Sequence, residues 1–233
     1  MSLDGIAAAR HYIDRIVHGD GKCNGMKVLL LDASTTQIVS SVYSQTEILN
    51  QQVYLVSRLD ESNQSMNGEN GDLSYSSATA SSASNSHLKA VCFLRPTPSN
   101  VDLLARELAQ PRFSEYHIFF SGILSSGLLR ILAENDTRER VKQVPEFYAD
   151  FLPINEDLLT IQCRHTLAMT VAAGTSWAPK YASQYERNLQ GLQSMLLALK
   201  RQPSAIRYAG HSPCAEELAN DLQESIQADE IFQ

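Results

Sequence analysis

The feature that most constrains this chain is a recurrence of short, continuous apolar runs separated by segments of helical periodicity. Val28-Leu29-Leu30-Leu31 ends at Asp32, and comparable runs follow at Val53-Tyr54-Leu55-Val56, Ala90-Val91-Cys92-Phe93-Leu94 and His117-Ile118-Phe119-Phe120. A run without polar alternation suits a strand buried on both faces, as in a parallel sheet covered by helices. A further strand is predicted between Phe147 and Ile154. Between the runs lie helical patterns. The clearest covers Pro98 to Gln110, with Val101, Leu104, Ala105 and Leu108 on one face. Thr97 is its expected N-cap, and Pro98 takes the first helical position, where a missing N–H costs nothing. Residues 3–17 form an amphipathic pattern of the same kind. Strands alternating with helices predict an α/β layered domain over residues 1–153.

Two departures follow. Residues 61–87 hold nine serines between Ser62 and Ser86 and few bulky apolar side chains. Such a segment cannot bury enough surface to offset its ordering entropy, so it is expected to be a flexible insertion between two strands. After Pro153 the pattern becomes mostly helical. A helix is predicted from about Ala182 to Lys200, a strand at Ile206-Arg207-Tyr208, and a last helix opening at Ser212-Pro213. Residues 154–233 therefore read as the incomplete beginning of a second domain, and the stop at Gln233 as a truncation.

Composition narrows the function classes. The formal net charge is −7 and the Lys and Arg residues do not cluster, which argues against nucleic-acid binding and against direct anchoring to acidic lipid. Cys23, Cys92, Cys163 and Cys214 contain no C-x-x-C pair, so a reducing, cytoplasmic setting without a zinc site is expected. The N-terminus lacks an apolar leader core, and no apolar run approaches the roughly 18–20 residues that span a bilayer.

Catalytic signatures are sparse. Gly19-Asp20-Gly21 precedes the first strand, whereas a dinucleotide loop must follow it so that backbone N–H groups reach the pyrophosphate. Walker A and G-x-S-x-G patterns are missing, and the six histidines are scattered. Asp32, at the C-terminal end of the first strand, stands where open α/β sheets bind ligands. It supports two readings: a nucleotide- or metal-binding enzyme that uses this acid, or a plain cap on the helix starting near Ser34. The second is preferred, because no other acid accompanies it; no cofactor is expected and the chain reads as a non-enzyme.

Several stretches together carry a resemblance. They are Met26-Lys27-Val28-Leu29-Leu30-Leu31-Asp32 with Thr35-Thr36, Val53-Tyr54-Leu55-Val56 with Arg58, Cys92-Phe93-Leu94-Arg95-Pro96-Thr97, and Arg106-Glu107-Leu108. Pro111-Arg112-Phe113, Tyr116 to Ser121, Glu146 to Phe151, Gly191 to Lys200 and Ile206-Arg207-Tyr208 continue it. In this order they resemble the amino-terminal region of SM proteins, the syntaxin-binding regulators of SNARE-mediated fusion, and most closely the branch serving trans-Golgi, endosomal and vacuolar traffic. The resemblance implies a parallel five-stranded sheet flanked by helices, followed by a partial second domain. It also implies a pocket for the N-terminal peptide of a syntaxin-type SNARE, carried over onto Leu124, Leu128, Leu129, Leu132, Val141, Val144 and Glu146. An assembled SNARE complex is a further partner implied for the full-length protein, and membranes are reached only through partners. On a helix near Ser125–Glu134, Leu128, Leu129, Ile131 and Leu132 exceed one buried stripe, which leaves an apolar edge for docking. Leu128 and Leu132 also fit plain core positions by their spacing.

Overall fold

Because every residue of Val28–Leu31 must find apolar neighbours on both sides, this run seeds the centre of a sheet. Strand β1 (Lys27–Leu31) is buried along its whole length and lies between β2 (Val53–Arg58) and β3 (Lys89–Leu94). Beyond β3 come β4 (Glu115–Phe120) and β5 (Val141–Gln143), giving the order β2-β1-β3-β4-β5 with every pair parallel. The expected α/β architecture, a five-stranded parallel sheet flanked by helices, is therefore observed. The computed structural model describes residues 4–60, 86–162 and 179–228, in two compact units: residues 11–147, and residues 148–233 with 1–10.

In the unit of residues 11–147, alternate strand residues divide between two faces. One face carries Val28, Leu30, Ala90, Cys92, Leu94, Tyr116, Ile118 and Phe120, in one core with Val101, Leu104 and Leu108. Those three belong to helix α4 (Pro98–Ala109), which follows α1 (Gly5–Val17), α2 (Ala33–Val42) and α3 (Gln45–Asn50). Thr97 caps α4 by accepting from Asn100 N, as expected from the sequence. The opposite face is pinned by rings: Phe119 meets Phe147 with centroids 5.1 Å apart, and Phe147 meets Tyr12 at 5.5 Å.

Two buried carboxylates hold this layer arrangement. Glu107 on α4 accepts from Tyr116 Oη on β4 at 2.6 Å and pairs with Arg112 Nη2 at 2.6 Å. Burial first, and the Glu107 charge next, push the Tyr116 hydroxyl well above the ordinary tyrosine range. Asp32 does more. Its Oδ1 accepts from Ser34 N and Thr35 N, each at 2.8 Å, which caps α2. Its Oδ2 accepts from Arg95 N at 2.7 Å and Asn100 Nδ2 at 2.8 Å, so one side chain ties β1 to the start of α4. Thr35 completes the capping box and donates its hydroxyl to Phe93 O on β3 at 2.8 Å.

Two sequence expectations need correction, and one helix was missed. The fifth strand is Val141–Gln143, not a stretch within Phe147–Ile154. Phe147 instead serves as a core ring, and Leu152–Pro153 (β6) pairs antiparallel with Leu159–Thr160 (β7) in a separate two-stranded sheet. Helix α3 was not read from the sequence; six residues are too short for a periodic stripe. Ile206-Arg207-Tyr208 forms no strand, because among the described residues no backbone edge pairs with it. The serine-rich expectation over 61–87 falls on residues 61–85, outside the described residues.

The second unit contains β6, β7 and helices α6 (Pro179–Leu199) and α7 (Pro213–Ala228). Arg187 on α6 donates to Asp150 Oδ2 at 2.7 Å and to the carbonyls of Asp150 and Ile161. Gly191 stands where a Cβ would lie 2.9 Å from Ile161, so only glycine allows α6 to approach this segment. Tyr185 Oη donates to Asp221 Oδ2 at 2.5 Å, joining α6 to α7.

Asp32→Ala removes the acceptor for four N–H donors and is expected to cost about 3 kcal/mol or more, since bonds to a charged acceptor contribute about 1.5–3 kcal/mol each and do not add fully. Asp32→Asn, which keeps one carbonyl oxygen, should lose less. Urea unfolding of both variants measures the difference.

Candidate functional site

Two places on the sheet could hold a ligand. The first is the C-terminal edge between β1 and β3, where the strand order reverses and a hollow of about 280 Å³ is lined by Asp32, Ser34, Leu59, Asp60, Arg95, Asn100 and neighbours. This is the position the enzyme reading requires. Both acids on that lining are committed: each Asp32 oxygen already accepts two N–H donors, and Asp60 pairs with Arg58. A carboxylate with that shell is a cap and a strap. Among the described residues no group of three His, Cys, Asp or Glu side chains is placed to hold a metal ion.

The second place lies beyond the end of β4. There the chain turns through Gly122-Ile123-Leu124 into helix α5 (Ser126–Asn135). Ser125 is its N-cap, with Oγ accepting from Leu128 N at 3.4 Å. At the other end Asp136 sets the turn into β5, its two oxygens accepting from Arg140 N at 2.9 Å and Val141 N at 3.0 Å. The chain then runs beside the end of β4: Phe120 N donates to Pro145 O at 3.1 Å and Phe147 N to Phe120 O at 2.7 Å. That parallel bridge fixes Glu146, whose Oε1 accepts from Leu124 N at 2.7 Å.

The sequence-predicted residues fall into distinct positions. Leu124 and Glu146 are joined directly by that bond. Leu128, Val141, Val144 and Leu124 are half-buried and pack against the same core cluster. Leu129 projects outward, 45% exposed. Leu132 is 3% exposed and belongs to the core, so it supports the face from beneath and offers no surface of its own. Glu146 is half-buried.

Sequence reasoning missed Ile123 and Asp136. Ile123 is 49% exposed and adjoins Leu124, extending the apolar surface. An apolar pair two residues beyond an apolar strand, followed by Ser-Ser, was its available signal. Asp136 acts only through the turn it orders. The arrangement offers apolar side chains of graded exposure with one carboxylate at the rim, which suits docking of an apolar side chain beside a cation.

Comparison with known proteins agrees with the resemblance read from the residues. The Sec1 family profile matches residues 27–233. Vacuolar protein sorting-associated protein 45 of Rattus norvegicus is 38% identical over 229 residues, covering 98% of this chain and 35% of the relative. The Homo sapiens protein of that name is 37% identical with the same coverage. Among solved structures, the SM protein Vps45 in complex with the Qa SNARE Tlg2 (1–310) superposes with a TM-score of 0.78 at 34% identity, covering 99% of this chain and 38% of that one. The chain thus spans about a third of the length of the curated relatives it matches.

Glu146→Ala leaves Leu124 N without its acceptor. It is expected to cost about 1–2 kcal/mol and to speed hydrogen exchange at the Leu124 amide while exchange in β1 is unchanged. Amide exchange read by mass spectrometry or NMR checks it.

Proposed function

The chain belongs to the Sec1 family, and we propose that it carries the syntaxin-binding part of a SNARE-assembly regulator in docking and fusion of Golgi, endosomal and vacuolar vesicles. The partner is a syntaxin-type SNARE, engaged through a short peptide at its N-terminus. The observation that carries this reading is the surface formed by Leu124, Leu128, Leu129, Val141, Val144 and Glu146. Its apolar members already rest on the core, so only their outer faces remain to be covered. Its carboxylate is held in place by Leu124 N. A peptide would set an apolar side chain against Leu129 and Leu128 and a basic one against Glu146.

Two further findings support the reading. The relatives with the highest identities given above bear a vacuolar-sorting name, and the superposed Vps45 structure was determined with a Qa SNARE. The proposal includes the division into a docking domain over residues 1–153 and the opening of a second domain over 154–233. It is a binding role without catalysis. No helix among the described residues is long and apolar enough to cross a membrane, and recruitment to Golgi or endosomal membranes through the partner is part of the proposal. In the longer relatives the assembled SNARE complex would be a second ligand.

Leu129→Arg places a charge at an exposed apolar position of the face. Binding of a synthetic N-terminal peptide from an endosomal syntaxin, followed by fluorescence anisotropy, is expected to weaken by at least about tenfold, the scale of a central contact residue. Circular dichroism should show an unchanged fold, because the side chain is exposed. Retained affinity would overturn the assignment.

A further inference from the structure

His117 on β4 is 2% exposed, and neither ring nitrogen has a hydrogen-bond partner. It stands opposite Gln143 of β5, where the β4–β5 register is irregular between Tyr116 and His117. That strand is three residues long and closes the sheet edge, so its pairing is the least reinforced in the sheet. Gln143 is tied elsewhere, donating Nε2 to Gly19 O at 3.2 Å.

The charged groups around the imidazole come from several elements. Glu115 on the same strand approaches Nε2 at 3.8 Å, too far for a hydrogen bond but near enough to attract a proton there. Glu115 is itself held by Lys89 Nζ of β3 at 3.2 Å. Lys142 on β5 also acts on His117, and Lys27 of β1 and Cys23 adjoin the Lys89–Glu115 pair. Burial, ahead of the other causes, holds His117 below the ordinary histidine range; Glu115 pulls upward, while Lys89 and Lys142 push further down. The folded protein therefore binds this proton less readily than the unfolded chain. The stability that follows is complete above the ordinary value of about 6.5 and is lost as pH falls through the folded value.

We propose that His117 is a proton-sensitive strut beneath the β5 wall of the docking face, so that acidification loosens β5 and weakens peptide docking. The docking half rests on the function proposed above; the strut itself does not. Val141 opens β5, and Val144 and Glu146 follow it directly, so slackening at Gln143 reaches one whole wall of the face.

The test compares wild type with His117→Leu, which removes both orphan nitrogens. Melting temperature and exchange of the β5 amides are followed from about pH 7.5 to about pH 5, across the window in which the imidazole titrates. The wild type should lose melting temperature and β5 protection over this range, and His117→Leu should lose distinctly less. Equal losses overturn the strut. Should His117→Leu fail to fold, Glu115→Gln decides: without the carboxylate that favours the imidazolium, the acid loss above about pH 5 should deepen. A loss equal to or smaller than that of wild type overturns the proposal.

Peptide affinity for the synthetic syntaxin peptide forms the second arm. A loss of affinity at acid pH in wild type that is relieved in His117→Leu supports the coupling. The same loss in both proteins overturns it. Failure to bind at either pH, with the melting difference intact, overturns the docking reading and the coupling while the strut stands.

Discussion

The rest of the first unit depends on one carboxylate. Asp32 follows a strand buried along its whole length, where a polar group is costly unless every lone pair is used. It uses them on four donors from two directions: the first turn of α2, and the β3–α4 connection. The N-termini of both helices thereby face one negative charge, which also favours their dipoles. The strand order reverses at this point, so the polypeptide must be held together where a doubly wound sheet would otherwise gape. In many α/β proteins that crevice admits a ligand; here its Asp32 carboxylate is taken up by four of the protein's own N–H donors.

Much of the fold was legible because burial on both faces leaves a plain mark. The runs at Val28, Ala90 and His117 mark the central strands, the run at Val53 marks β2 at the sheet edge, and Thr97-Pro98 marks a helix start by chemistry alone. β5 was illegible for the complementary reason. Val141-Lys142-Gln143 is an edge strand with no fully buried side chain, so it carries no apolar run. The richer stretch at Phe147 drew the prediction and proved to be ring packing. Helix α3 had a signal that periodicity could not supply: Ser44 and Glu47 form a capping box, visible as S-x-x-E.

The proposed docking face was legible only through family resemblance. Spacing alone showed too many leucines on α5 for one stripe, but could not say which faced out. Packing settled that: Leu132 went inward to the core, Leu128 lies half-covered, and Leu129 remains in solvent. Asp136 and the Phe120–Glu146 bridge, which position the face, involve residues far too ordinary to flag in a sequence. His117 shows the same limit. A histidine amid aromatic strand residues looks like core filler, and its orphaned nitrogens appear only when its neighbours are in place.

The bond from Leu124 N to Glu146 Oε1 has a thermodynamic consequence for recognition. A free glutamate samples several rotamers, and an incoming cation must freeze them, at roughly 0.5–1.5 kcal/mol for a side chain of this kind. Folding has already restricted Glu146, so that entropy is lost before any peptide arrives. Association at this corner would then be governed by desolvation and geometry, with a smaller ordering penalty on the protein side than an untethered acid would impose.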